Sequence, residues 1–345
     1  MAVFASKSAS YVFNHVFDFN LKGKTVLVKP NFINEMPSSS GVTTSVNLVK
    51  RLVLFLKSRG AKVIVAESGL ENTSMIFRKL GVNKLPCKVL NLDACARVKV
   101  KSRTNLCFSE FNLPRVVLDA DFIVSFAKLK THALTTVTLS VKNLFGFLGK
   151  AERQLAHVRG LNESIVDLFS CFNDRVIGLV DGVIALDGKI GPVNGTPRKL
   201  GLVIGSLDPV SCDSLCCALI GAKKVTHLML SSSNKLGSLN YALSGISLVD
   251  YKASFSLPPS YFAFLSKLLS RYRKKKPFLC NPSNCVKCYS CVNNCPVNAI
   301  SKDLSFDYRK CIGCMICIES CKHSALGYKL SFPASVIHPV LKKLR

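Results

Sequence analysis

The chain has 345 residues, 48% hydrophobic and 19% charged, enough apolar side chain for a sizeable core and incompatible with a disordered chain. Its formal net charge is +27, which points to an anionic partner such as nucleic acid, anionic lipid, an acidic protein or a small anion. The basic residues are dispersed and only RYRKKK at 271–276 forms a block, so nucleic acid is not the expected partner.

Sixteen cysteines are present: nine fall between Cys280 and Cys321, and seven are scattered over the first 217 residues. Scattered cysteines argue against a secreted disulfide framework and for a reducing compartment. No apolar run reaches the roughly 18 residues that a membrane helix needs. The first twenty residues lack a basic start followed by a sustained apolar stretch, so a cytoplasmic location is expected.

The first 258 residues alternate strand and helix signals. TVLVKPN (25–31) is a short β-branched apolar run, the pattern of a strand buried on both faces of a parallel sheet. The following TSVNLVKRLVLFLKSRG has helical spacing, with Thr44 or Ser45 as N-cap and Gly60 as C-cap. AKVIVAE (61–67) is the next strand and completes a βαβ unit; 119–126, 175–182 and 199–206 are further strands. After the last, Asp208 suits an N-cap, Pro209 the first helical position and Gly221 the C-cap. The expected fold is an α/β main domain with a mainly parallel sheet over 1–258. A connecting helix and basic linker follow at 259–276; Tyr261, Phe264, Leu265, Leu268 and Tyr272 share one face, which packs on the main domain or, through 259–272, meets a membrane surface.

Residues 277–345 form a second unit. Cys285, Cys288, Cys291 and Cys295 recur 26 residues later as Cys311, Cys314, Cys317 and Cys321. This is C-x2-C-x2-C-x3-C twice over, the spacing of bacterial two-cluster ferredoxins, and it predicts a small α+β ferredoxin-like domain with two [4Fe-4S] clusters. Three cysteines at two-residue intervals wrap three corners of one cube, and the fourth, on the segment leading away, reaches the other cube. The expected sets are Cys285, Cys288, Cys291 with Cys321, and Cys311, Cys314, Cys317 with Cys295. Zinc ribbons use two CxxC pairs and four ligands, a poor match to eight cysteines in two such runs. Lys322 stands where the second run usually has Pro, and Cys280 has no counterpart in the repeat.

No G-x-G-x-x-G follows a strand and no G-x-x-x-x-G-K-[ST] occurs, so neither a dinucleotide nor a P-loop site is indicated. Polar residues instead collect just after strands: Lys29 and Asn31; then Lys128, Lys130, His132, Thr138, Lys142 and Asn143; then His157 and Arg159; and Asp181 and Asp187 in a glycine-rich stretch. Ligands of open α/β sheets bind beyond the carboxyl ends of strands, where such cations suit a carboxylate or phosphate and His132 suits proton transfer. The alternative is solvated lysines and a satisfied histidine in a connecting loop.

LVKPNF, FIVSFAKLKTHALTTVTLSVKNLFG, LVDGVIALDGKIGPVNG and IGSLDPVSCDSL resemble the family known as domain of unknown function 362, whose members often carry a C-terminal two-cluster ferredoxin module. The resemblance covers roughly residues 20–250 and the cysteine repeat. It implies an intracellular iron–sulfur protein with a polar site around Lys128, Lys130, His132, Lys142 and Asn143, and it supplies no substrate. The expectation is therefore an electron-transfer oxidoreductase acting on a small anionic substrate, with Lys128, Lys130 and His132 catalytic and Lys29, Asn31, Lys142, Asn143, His157 and Asp181 binding. The competing expectation is an electron carrier whose basic main domain docks an acidic redox partner.

Overall fold

The computed structural model describes residues 1–69, 72–189, 192–258, 275–295, 297–311 and 313–330. The strands of the main domain are β1 (Ala2–Ser6), β2 (Thr25–Pro30), β3 (Lys62–Glu67), β4 (Lys88–Asn91), β5 (Arg97–Lys101), β6 (Glu110–Pro114), β7 (Phe122–His132), β8 (Thr136–Thr138), β9 (Val176–Asp187), β10 (Thr196–Ser206) and β11 (Ala242–Ser244). Except for the β5–β6 hairpin they form one sheet in the order β11-β1-β10-β9-β7-β2-β3-β4, with β8 beside β7. The run β9-β7-β2-β3-β4 is parallel throughout. The expected strand at 199–206 is present as β10, but it runs antiparallel to both β1 and β9, so the sheet is mainly rather than wholly parallel.

Side chains alternate across a strand, so each strand of this sheet feeds two cores. Val26, Val28, Val124 and Phe126 pack on one face with helices α1 (Ala9–Val16) and α2 (Val46–Ser58). Leu27, Ile123, Ala127 and Val180 pack on the other. That face is covered by helices later in the chain: α3 (Ser140–Asn143), α4 (Lys150–Arg159), α5 (Leu161–Ser170) and α6 (Pro209–Ile220). Local chemistry fixes the helix ends. Ser45 caps α2 by accepting from Leu48 N, and Asp208 caps α6 by accepting from Val210 N at 2.8 Å; Pro209 opens α6, and Gly221 closes it at φ 75°, a left-handed conformation.

The C-terminal unit pairs β12 (Lys275–Leu279) with β13 (Leu326–Leu330) and carries two short helices, α7 (Ser290–Asn293) and α8 (Ile316–Glu319). Its own small core includes Ile300, Met315, Ile318, Ala325 and Leu326. β12 takes in Lys275 and Lys276, the last residues of the expected linker; the remainder of that linker and its helix, 259–274, lie outside the described residues. Among the described residues no helix is long and apolar enough to cross a membrane.

The two units are docked. Lys322 Nζ donates to Glu35 at 2.8 Å, Ser324 Oγ to Asn194 at 2.7 Å, and Lys150 Nζ to the Asn293 carbonyl at 3.0 Å. Leu134, from the turn between β7 and β8, packs against the C-terminal core.

Candidate functional site

The carboxyl ends of β2, β3 and β7 meet α3 and α4 at one edge of the sheet, and the C-terminal unit covers that edge. A cavity of about 460 Å³ lies between them, within the size range of small-molecule sites. Six cationic side chains line it: Lys29, Arg97, Lys130, Lys142, Lys150 and Arg153. Among the described residues only three carboxylates do, those of Glu67, Asp93 and Glu319. The C-terminal unit contributes Asn294, Ile316 and Glu319.

The floor is a satisfied polar network. Lys29 Nζ pairs with Glu67 at 2.7 Å. Lys130 Nζ donates to Asn31 Oδ1 and to the Val42 carbonyl, both at 2.9 Å. Asn143 joins the two: its Oδ1 accepts from Asn31 Nδ2 at 3.0 Å and from Lys29 Nζ at 3.2 Å, and its Nδ2 donates to the Lys29 carbonyl. Gly146 is required beside this network, because a Cβ there would sit 2.8 Å from both Lys29 Nζ and Glu67 Oε1. Burial, with the charges of Lys142 and Lys128 added, pushes the Lys130 amine well below its ordinary range.

Other groups facing the cavity keep polar atoms without a hydrogen-bond partner among the described residues. Lys142 makes no hydrogen bond or ion pair among the described residues; its Nζ lies 6.0 Å from the centre of the Phe145 ring, and burial together with the Lys29 charge lowers its pKa to about 8. The buried Thr138 hydroxyl and Arg153 Nε also lack partners. Arg153 does reach Asp93 at 3.6 Å and Ser68 Oγ at 3.3 Å. His157 Nδ1 donates to the Arg153 carbonyl at 2.7 Å, which leaves Nε2 of the neutral ring as an acceptor, and burial lowers the His157 pKa.

Lys29, Asn31, Lys130, Lys142, Asn143 and His157, all expected site residues, line this one cavity. The other three do not. The β7–β9 register shifts between Lys128 and Lys130, and Lys128 is directed instead to Asp181, 2.9 Å away. Asp181 also accepts from Ser45 N, at the start of α2. His132 is fully buried behind the cavity; its Nδ1 accepts from Leu134 N and Thr135 N, so Nε2 carries the proton. That Nε2 lies 3.1 Å from Glu319 Oε1, off the line of a well-aligned hydrogen bond. Burial and the Lys142 charge hold His132 down at about 4; Glu319, despite burial, is held at about 2 by His132, His157 and Lys142. Arg159 stacks over Phe108, away from the cavity.

Glu67, Arg97, Arg153 and Glu319 were not expected. Glu67 ends an apolar strand as Lys29 nearly does, and Lys150, Arg153, Gln154 and His157 recur at the spacing of one helix face; both patterns are visible in the sequence.

Two smaller cavities lie in the C-terminal unit. One is lined by Cys285, Cys288, Cys291 and Cys321, the other by Cys295, Cys311, Cys314 and Cys317. The repeat extends to the backbone: Lys287 and Gly313, Tyr289 and Met315, and Asn298 and Ser324 all have positive φ, each pair 26 residues apart. Ala299 N donates to Cys295 Sγ at 3.2 Å and Ala325 N to Cys321 Sγ at 3.3 Å, the same contact one repeat on. All sixteen cysteines are free of disulfides. Sulfurs set in crossed fours, with amides directed at them, fit iron–sulfur clusters; among the described residues no three His, Cys, Asp or Glu side chains converge as a single metal ion would need.

The profile described as domain of unknown function (DUF362) matches residues 26–218, more than half the chain. The chain belongs to this family. The 4Fe-4S binding domain matches 281–301 and 304–326, so this member is an iron–sulfur protein. The thylakoid-associated protein sll1697 of Synechocystis sp. is 24% identical over 230 residues, covering 64% of this chain and 70% of that protein. Among solved structures, the lactate racemase apoprotein of Thermoanaerobacterium thermosaccharolyticum aligns with a TM-score of 0.40 at 10% identity; the alignment covers 62% of this chain and 56% of the racemase.

Proposed function

We propose that this protein is an oxidoreductase with two [4Fe-4S] clusters, whose α/β domain holds a small, multiply anionic substrate in the cavity against the cysteine-bearing unit. The observation that carries the reading is the cavity itself: among the described residues, six cations against three carboxylates, with donors on Thr138, Arg153 and Lys142 that make no hydrogen bond there. A ligand bearing two or more anionic oxygens satisfies those donors and relieves the mutual repulsion of the lysines. A pure electron carrier has no need of a cation-lined cavity at this position.

The clusters, when bound, supply electrons one at a time. The chain's own residues do the rest. Lys142, Arg153 and Lys150 hold the anion, Asn143 and Asn31 fix the lysines of the floor, and the docked C-terminal unit limits access of water. Asn294 adjoins Cys295, and Ile316 adjoins Cys317 on α8, so the cavity wall is built from segments that carry two cysteines of the second set. Sixteen cysteines without a disulfide support a reducing, cytoplasmic setting.

Anaerobic reconstitution should give about eight irons and eight acid-labile sulfides per chain. Four irons, or zinc, would overturn the two-cluster assignment. Calorimetric titration of the reconstituted protein with inorganic phosphate tests the cavity, and absence of binding would remove the anionic substrate.

A further inference from the structure

The lysine best placed to act on a ligand is not one of those expected to be catalytic. Lys130 gives its amine to Asn31 and Val42, Lys29 is paired with Glu67, and Lys128 is paired with Asp181 on another part of the sheet. Lys142 is left with its amine facing the cavity and no hydrogen-bond partner among the described residues. We propose that Lys142 is a nucleophile that forms an imine with the carbonyl carbon of an anionic ligand, a phosphorylated or carboxylated aldehyde or ketone. The inference rests on the anion-binding reading of the cavity and names the ligand's chemical class.

The argument is one of redundancy. Arg97, Arg153 and Lys150 already furnish cations for the ligand's anionic group. If clamping were the only task, a fully charged amine at position 142 would serve better than one held at about 8. Partial loss of its proton weakens Lys142 as a clamp and strengthens it as a nucleophile; cationic neighbours and desolvation are how a lysine becomes reactive toward carbonyls. Two further groups suit the step. The buried Thr138 hydroxyl, unpartnered and on the same cavity wall, is free to hydrogen-bond the carbonyl oxygen. The Phe145 ring packs against both Lys142 and His157, with its centre 5.8 Å from that of the imidazole, and His157 Nε2 is a neutral acceptor for the proton that Lys142 must shed.

The step balances without an oxidant or reductant. The ammonium of Lys142 and the carbonyl compound give an iminium and one water. The carbon–nitrogen bond forms and the carbon–oxygen bond breaks. Two of the three nitrogen hydrogens leave with the oxygen, the first by way of His157, and the third stays on the iminium.

The probe is pyridoxal 5′-phosphate, an anionic aldehyde, applied at low concentration to the full reconstituted chain near pH 7.5 under anaerobic conditions. Borohydride then fixes any imine, and peptide mass mapping locates it. Label should accumulate on Lys142 at least tenfold over any surface lysine, fall at least tenfold when pyridoxal without phosphate replaces the probe, and be suppressed by inorganic phosphate. Lys142→Arg should abolish that label. Label spread over surface lysines, with phosphate still bound, overturns the nucleophile and leaves the anion site standing. Loss of phosphate binding in the unmodified protein removes the site itself, and the nucleophile with it.

Discussion

Lys128 and Lys142 lie fourteen residues apart, the first within β7 and the second on α3, and burial lowers the pKa of both. They differ in what they meet. Lys128 points at Asp181, and that carboxylate also takes the Ser45 amide, so one ion pair fastens the start of α2 to β9. Lys142 meets the ring of Phe145 and open cavity, with Glu319 near enough to influence it but not to pair. A buried charge that has found its partner belongs to the fold. A charge left without one, in a space large enough for a ligand, belongs to whatever enters that space.

The largest effect should come from breaking the satisfied pair. Asp181→Ala leaves the Lys128 ammonium buried and alone and removes an acceptor at the N-terminus of α2. The expected loss is about 3–5 kcal/mol of stability, read from the shift of the urea unfolding midpoint. A loss below about 1 kcal/mol would mean that the pair is not structural, and the contrast with Lys142 would fail.

Lys142→Ala is the counterpart. Removing an amine with no partner, among other cations, should leave the melting temperature unchanged or slightly raised. Phosphate affinity measured by calorimetry should fall at least tenfold, about 1.4 kcal/mol. A large drop in melting temperature with unchanged affinity would transfer Lys142 to the structural class.

The contrast also explains which parts of the molecule are legible in the sequence. The cysteine repeat is legible because ligand spacing around a cube is local: the 26-residue offset reappears in the cavities, the positive-φ residues and the amide contacts to sulfur. The parallel strands are legible because both faces are buried and the apolar runs are unbroken. The cavity is only half legible. Lys29, Asn31, Lys130, Lys142, Asn143 and His157 follow apolar strands or sit on one helix, but nothing local says that a register shift in β7 sends Lys128 elsewhere, or that His132 is closed off by Glu319 nearly two hundred residues away. Pairing between distant segments is decided by tertiary packing, to which periodicity is blind.

A smaller, graded effect comes from pH. Lys142 is faced by Lys29 with its Glu67 partner, by Lys130, by His132 and His157, and by Glu319. Of these, Lys142 has a pKa of about 8, down from its ordinary 10.5. The folded form therefore sheds its proton before the unfolded chain does. Below about pH 8 the amine is charged in both states and its burial opposes folding; that penalty lifts as pH rises from about 8 toward the unfolded value. Phosphate binding should run the other way, since the charged amine holds the anion. Stabilisation by phosphate, measured as the rise in melting temperature, should be larger at pH 7 than at pH 9, and the difference should shrink in Lys142→Ala. An equal rise at both values would place the anion away from Lys142.

The smallest effect belongs to the docking contact that the sequence marked as an anomaly. Lys322 occupies a position where two-cluster ferredoxins usually have proline, and it reaches across to Glu35 at 2.8 Å, with both side chains about a fifth exposed. Part-exposed pairs of this kind contribute about 1 kcal/mol or less. Glu35 also has Lys79 at 3.6 Å, so the carboxylate keeps a cation when Lys322 is lost. Lys322→Pro should therefore leave the iron content unchanged and lower the melting temperature by only about 2–4 °C. Its consequence should appear in the cavity instead, because Asn294, Ile316 and Glu319 form one wall only while the C-terminal unit is docked. Phosphate affinity should fall by about two- to fivefold, and Glu35→Ala should add little to the double variant, since each removes the same contact. Additive losses from the two substitutions would show that they act separately, and that the lysine at this position serves the cysteine loop rather than the docking of one unit on the other.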